Sequence, residues 1–236
     1  MNFYDMHSHI LPGIDDGCKT VEDSLTIINR HIKNGVKNIC LTPHFYTNEE
    51  SIEDFVAKRA EAFETLKSHI PDNVNVCLGT EVYITRYMFN NHDFSMLCYG
   101  NSKYILTEFP YSSSFSGTSM EMLYKIKENY GLNPVIPHIE RYENVFFNDR
   151  KLEELNDMGV VIQTNTSAFE GFLRKRRLLK LIKNGYIHIL GTDVHSLSKG
   201  NPNTYPATCK LIREKCGESA LRNLQHNAEM IFNKTL

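Results

Sequence analysis

The stretch TVEDSLTIINRHIKNGVKNICLTPH, residues 20–44, holds one complete structural unit. Thr20 and Asp23 have the spacing of a capping pair, Val21, Leu25, Ile28 and Ile32 form a helical apolar stripe, and Asn34-Gly35 stops the helix. Val36 to Leu41 then reads as a buried strand, closed by Thr42-Pro43-His44. A helix feeding a strand of this kind is the repeating unit of a parallel β/α fold rather than of a sandwich or bundle.

The same alternation extends in both directions. Strands are expected at Phe3 to His7, Val36 to Leu41, Val74 to Gly79, Tyr104 to Glu108, Pro134 to His138, Val160 to Asn165 and Ile187 to Gly191. Further helices are expected over Ile52 to Ser68, Ser119 to Tyr130, Arg150 to Met158, Gly171 to Asn184, and two C-terminal segments divided near Gly217. Seven strands with helices between them read as an α/β barrel, occupying residues 1–236 as one domain.

Composition narrows the function. A net charge of -2 gives no electrostatic reason to expect a nucleic-acid partner. The N-terminus lacks the basic start and apolar run of a signal peptide, and no apolar stretch is long enough to span a bilayer, so a cytoplasmic protein without membrane insertion is expected. The six cysteines form no Cys-x-x-Cys pair and read as reduced, mostly buried thiols.

Histidines and carboxylates fall at the C-terminal ends of the expected strands, the end at which barrel enzymes build active sites. His7-Ser8-His9 and Asp15-Asp16-Gly17 follow the first strand, Thr42-Pro43-His44 the second and Gly79-Thr80-Glu81 the third. Glu108-Phe109-Pro110, His138-Ile139-Glu140-Arg141 and Thr192-Asp193-Val194-His195 end the fourth, fifth and seventh, while the sixth offers Thr164, Asn165 and Ser167. In an extended segment His7 and His9 lie on one side, roughly 7 Å apart, so both rings reach one ion. Five histidines (His7, His9, His44, His138, His195) and four carboxylates (Asp16, Glu81, Glu108, Asp193) on one rim would repel and desolvate one another without cations. Mixed nitrogen and oxygen donors in this number point to two or three divalent ions of manganese, iron or zinc type, without thiolate ligands. Such ions lower the pKa of a water from 15.7 to about 7 and hold phosphoryl oxygens, which implies hydrolysis. Arg141, on the same rim, has the planar fork that binds two phosphate oxygens, against the alternative of a surface ion pair with Glu140 or Glu143.

With these residues in place the chain resembles the capsule and exopolysaccharide type of bacterial tyrosine-protein phosphatases in the PHP (polymerase and histidinol phosphatase) superfamily. The resemblance runs from Asp5-Met6-His7-Ser8-His9 and Ile10 to Gly17 through Leu41 to His44, Gly79 to Val82, Tyr104 to Pro110, His138 to Tyr142 and Gly191 to His195, essentially the whole chain. It implies a distorted, TIM-like (β/α)7 barrel holding three divalent ions, often manganese, on the nine residues above. It also implies a phosphoric monoester hydrolase acting on phosphotyrosine, typically on the tail of a cytoplasmic tyrosine autokinase that governs polysaccharide export. Two positions depart from the family pattern. Ile139 stands where proline is common, and a second phosphate-binding arginine after Asp-x-His is replaced by a segment in which Lys199 supplies a point charge without the fork.

Two other readings of the same barrel are a small-molecule phosphomonoesterase, such as a histidinol-phosphate phosphatase, and a non-catalytic module that binds phosphorylated tails. Cys216 to Arg222 matches the Cys-x5-Arg spacing of thiol phosphatases, but it joins two helical segments and lacks the strand-to-helix loop that cradles phosphate. Arg174-Lys175-Arg176-Arg177 reads as a solvated helix face, and Tyr111 to Gly117 as a polar, mobile loop over the rim. His31, His69, His92, His188 and His226 lack partners at useful spacing and are taken as non-ligands.

Overall fold

The computed structural model describes residues 3–90, 93–110, 115–198 and 201–233. Strands and helices alternate in the order β1 (Phe3–Asp5), α1 (Val21–Lys33), β2 (Val36–Leu41), β3 (His44–Tyr46), α2 (Ile52–Lys67), β4 (Asn75–Leu78), β5 (Glu81–Tyr83), β6 (Tyr104–Glu108), α3 (Gly117–Tyr130), β7 (Asn133–Ile136), α4 (Glu143–Phe146), α5 (Asp149–Asp157), β8 (Val161–Asn165), α6 (Phe172–Lys183), β9 (Ile189–Gly191), α7 (Thr204–Cys216) and α8 (Glu218–Phe232). Each of the seven expected strands is present. Two of them continue as separate segments, because Thr42-Pro43 interrupts the strand that runs from β2 to β3 and Gly79-Thr80 the one from β4 to β5.

All pairings are parallel, in the orders β1-β2-β4 and β3-β5-β6-β7-β8-β9. Backbone bonds from Gly79 to Leu41 and from Glu81 to Pro43 carry the pairing across the two interruptions. At the other seam Met6 N–H donates to Leu190, His9 N–H to Val194 and Asp193 N–H to His7, and Ser8 bridges Val194. The sheet therefore closes into a distorted seven-stave barrel.

The first helix starts as its sequence dictates, with Thr20 and Asp23 completing a capping box. Its buried face is rotated from the expected stripe and runs through Ser24, Ile27, Ile28 and His31, while Val21, Leu25 and Ile32 are only partly buried. The polar members earn their place by partners: Ser24 Oγ donates to Ile10 O at 2.6 Å, and His31 Nε2 meets Asp5 Oδ2 at 2.7 Å. Asp5 also accepts from the backbone N–H and hydroxyl of Thr192, so one buried carboxylate ties β1, α1 and the end of β9 together.

Two apolar layers result. The larger fills the space between strands and helices, with Ile39, Leu41, Ile105, Ile136, Ile162 and Leu190 facing outward from the sheet. The smaller collects Met6, Cys40, Cys77, Leu106, Val135 and Ile189, the alternate residues on the inner face, together with Tyr4, Tyr99 and, from α8, Ala228, Ile231 and Phe232. Phe232 packs edge-on to Tyr4 with ring centroids 5.5 Å apart. All six cysteines are free, and five are buried. No helix among the described residues is long and apolar enough to cross a membrane.

Candidate functional site

Above the inner apolar layer the strands continue with period two, and this spacing delivers the polar residues. Cys40 is followed on the same side by Thr42 and His44, Cys77 by Gly79 and Glu81, Leu106 by Glu108, and Ile189 by Gly191 and Asp193. Gly191 has a steric reason to be glycine, since a Cβ there would lie 2.6 Å from Gln163 Nε2 and 2.7 Å from His7 Cβ.

All nine residues expected to bind metal meet in one place. Three sets of donor atoms lie within 4.8 Å of one another: His9, Asp16, His44 and His195; His7, His9, Glu81 and Asp193; and His44, Glu81 and Glu108. His138 joins through Nε2, 2.9 Å from Glu81 Oε1 and 3.6 Å from Glu108 Oε1. Glu81 is the hub. Its Oε2 lies 3.1 Å from ring nitrogens of His7, His9 and His44, yet this buried oxygen and His44 Nδ1 have no hydrogen-bond partner. Lone pairs converging without hydrogen bonds are what a cation-binding site presents in the absence of its cation, so the residues fit divalent ions.

Buried carboxylates dominate the electrostatics of the metal-free cluster. Burial opposes charging His7, but the carboxylates of Glu81 and Asp193 outweigh it and raise its pKa; burial is likewise overcome at His9 by Asp15, Asp193 and Glu81. Burial favours the neutral forms of Glu81 and Asp193, yet the surrounding histidines hold both well below the usual carboxylate range. At His44 and His138 burial prevails, bringing each to about 4 and leaving neutral imidazoles. The only non-glycine residues with positive φ among those described are His138 (φ 32) and Asp193 (φ 53), so backbone strain is concentrated in this site.

Arg141 enters from the short 3-10 turn Ile139–Arg141 and bonds the Asp193 carboxylate through Nη2, with its side chain 41% exposed. Of the two glutamates weighed as its surface partners, Glu140 is buried, accepting from Thr164 Oγ1 and Asn165 N–H, and Glu143 lies 3.8 Å from Arg174. An open pocket over the donors is lined also by Arg141, Asn165, Ser167, Thr192, Tyr46 and Tyr83.

Several contributors were not singled out from sequence. Asp15 Oδ2 lies 2.7 Å from His9 Nδ1 and accepts from His44 N–H, orienting one imidazole and one strand end. Gln163 Oε1 lies 3.4 Å from His7 Nδ1 and accepts from His138 N–H. Gln163 precedes Asn165 by two on an inward face, so period-two spacing is the available signal for it, whereas Asp15 lies in a loop and its only signal is adjacency to Asp16.

Lys199 and residues 111–114 of the serine-rich loop lie outside the described residues. The loop's Phe115 is no mobile surface residue, being buried against Phe109 and Tyr142 with ring centroids 5.1 and 5.8 Å away. Cys216 ends α7, donates to Leu179 O, and has its thiol pKa raised by burial, the opposite of an activated nucleophile. Among the expected non-ligands, His31 serves Asp5, and His188 Nδ1 accepts from Ile162 N–H.

A family model described as "Capsular polysaccharide synthesis, CpsB/CapC" matches residues 3–233. The chain is 29% identical over 239 residues to tyrosine-protein phosphatase CpsB of Streptococcus pneumoniae, covering 93% of each chain. It is 29% identical over 243 residues to tyrosine-protein phosphatase YwqE of Bacillus subtilis, covering 98% of this chain and 92% of that one. A crystal structure from work on YwqE and CpsB, described as unique metal-dependent tyrosine phosphatases, superposes with a TM-score of 0.80 at 24% identity, covering 100% of this chain and 96% of the other. Histidinol phosphate phosphatase from Lactococcus lactis shares the fold at a TM-score of 0.54 and 13% identity, covering 92% and 93%.

Proposed function

The chain belongs to the CpsB/CapC family of capsular polysaccharide synthesis, and from that premise we propose that it is a metal-dependent protein-tyrosine phosphatase. The observation that carries this reading is the convergence of three overlapping donor sets on one open pocket that also holds Arg141. The relatives named as tyrosine-protein phosphatases support the substrate.

His7, His9, Asp16, His44, Glu81, Glu108, His138, Asp193 and His195 would hold two or three divalent ions, with manganese the first choice and iron or zinc the alternatives. When bound, these ions supply Lewis-acid charge to the phosphoryl oxygens and acidify the attacking water. The chain's own part is placement. Asp193 holds the Arg141 guanidinium at the pocket, where its planar fork would bind phosphate oxygens and keep phosphorus facing the donor cluster. Asn165 donates to Asp193 Oδ2 at 3.0 Å and so fixes the carboxylate that positions Arg141. Phenolate is a fair leaving group, so hydrolysis of an aryl ester proceeds without a dedicated protein acid. The natural substrate in this reading is a phosphotyrosine tail of a cytoplasmic tyrosine autokinase controlling capsule or exopolysaccharide synthesis.

The test is hydrolysis of a phosphotyrosine peptide by chelator-stripped protein before and after manganese, with His7→Ala and Cys216→Ser in parallel. Activity that returns with manganese, disappears in His7→Ala and survives in Cys216→Ser is expected. Activity that persists without metal and vanishes with Cys216, or hydrolysis of histidinol phosphate in place of the peptide, overturns the reading.

A further inference from the structure

We propose that Tyr46 and Tyr83 form an aromatic collar that binds the aryl ring of the substrate and makes the site selective for aromatic over aliphatic phosphate esters. This rests on the phosphatase reading above and adds to it the residues that choose the ester.

The collar follows from strand register. In the β3–β5 pairing His44 sits opposite Glu81 and Tyr46 opposite Tyr83. Two residues along a strand return to the same side, so the tyrosine pair stands directly beyond the donor pair, displaced outward by roughly 7 Å. Both tyrosines line the same pocket as His44, Glu108 and Arg141. Their rings touch each other, with centroids 5.4 Å apart at 46°, and Tyr46 also lies 5.6 Å from the His44 ring at 34°. Neither is in the barrel core: both are partly exposed, as is His44 below Tyr46, whereas Glu81 below Tyr83 is fully buried.

A phosphate held between the donors and Arg141 leaves its ester oxygen pointing outward. The next group along that direction meets the two ring edges and faces. A phenyl ring fills this space and gains offset or edge-to-face contact of the kind aromatic pairs prefer. A serine or glycerol ester places one or two methylenes there and leaves the collar wet. The other lining residues beyond the donors and Arg141, namely Asn165, Ser167 and Thr192, carry no ring, so ring recognition falls to the two tyrosines.

The experiment compares the manganese-loaded wild type with Tyr83→Ala, Tyr46→Ala, Tyr83→Phe and Tyr46→Phe. Three quantities are measured: kcat/KM for a phosphotyrosine peptide, kcat/KM for β-glycerophosphate, and inhibition constants of phenylphosphonate and inorganic phosphate. Loss of one aromatic contact is expected to lower the aryl kcat/KM about tenfold, at 1.36 kcal/mol per tenfold, and to weaken phenylphosphonate similarly. The aliphatic rate and phosphate inhibition stay within about twofold, and both phenylalanine variants retain wild-type selectivity because the ring and not the hydroxyl makes the contact. Equal losses on aryl and aliphatic esters, or unchanged phenylphosphonate binding in both alanine variants, overturn the collar while leaving the phosphatase reading intact. A wild type inert on every ester but still binding manganese overturns the phosphatase reading instead.

Discussion

At its lower end the barrel's inner face buries Met6, Cys40, Cys77, Leu106, Val135 and Ile189, none of them charged. Two to four residues further along several of the same strands it places His44, Glu81, Glu108 and Asp193, beside His7, His9, His138 and His195. The lower layer obeys the ordinary rule that apolar surface leaves water, and its side chains contribute mainly by packing, with only weak thiol bonds from Cys40 to Met6 and from Cys77 to Leu78 O. The upper layer inverts that rule, packing many titratable groups at about 3 Å separations, a concentration that is costly to bury without compensating charge. Stability belongs to the lower layer and chemistry to the upper one, and this division can be broken by substitution.

The largest expected effect is on the upper layer. Glu81→Gln keeps the volume of the hub residue and removes its charge, so kcat/KM on a phosphotyrosine peptide should fall on the order of 10³-fold, as for loss of a central electrostatic contact. The melting temperature of the metal-free protein should move by less than about 4 °C, which is what 1 kcal/mol produces in a domain of this size. Steady-state rates and scanning calorimetry on the same preparations check both. A drop in melting temperature with retained activity would reverse the assignment of the two layers.

Leu106→Ala strikes the lower layer. Leu106 is buried beneath Glu108 on the same face of β6, and deleting its side chain should cost about 2–5 kcal/mol of stability, read by denaturant unfolding. Per folded molecule, activity should change by less than about threefold, because no donor atom has lost a contact. A larger fall in kcat at saturating manganese would mean that the layers are mechanically coupled and that packing below sets the geometry above.

The two layers also differ in how legible they were in the sequence. All seven strands, and the rim on which the nine expected ligands converge, could be read from apolar runs followed by His, Asp or Glu, because a barrel places strand ends on one rim whatever the loops do. What escaped depended on side-chain direction within the rim. Asp15 was set aside for its neighbour Asp16, although it is Asp15 that is buried against His9 while the side chain of Asp16 is 55% exposed. Tyr46 and Tyr83 lie beyond the expected strand ends at Leu41 and Gly79, and only their register opposite one another sets them above the donors. The face of α1 was shifted because Ser24 and His31 find buried acceptors in Ile10 and Asp5, contacts distant in sequence that no helical period encodes. Arg141 is expected on the rim from its place after His138, but its partner Asp193 lies 52 residues away and is beyond any local pairing rule.

Asp15 gives the smallest of these effects and the finest test, because it lies at the edge of the upper layer. Its Oδ2 is placed to accept from His9 Nδ1–H, which leaves Nε2 as the atom facing Glu81 and Asp193. The same oxygen accepts from His44 N–H, and Oδ1 accepts from Gly17 N–H, so the carboxylate anchors both a ring and a loop. Asp15→Asn preserves the shape and can still accept through its amide oxygen, but the charge that strengthens the imidazole bond is gone. Manganese affinity, measured by titration calorimetry, should weaken by about 10–100-fold, the usual consequence of altering a group that orients a ligand rather than binding the ion. At saturating manganese most of the wild-type kcat should return. Rates that stay low when the sites are filled would place Asp15 among the groups that shape the reaction itself, and would extend the functional layer one residue beyond the donors that define it.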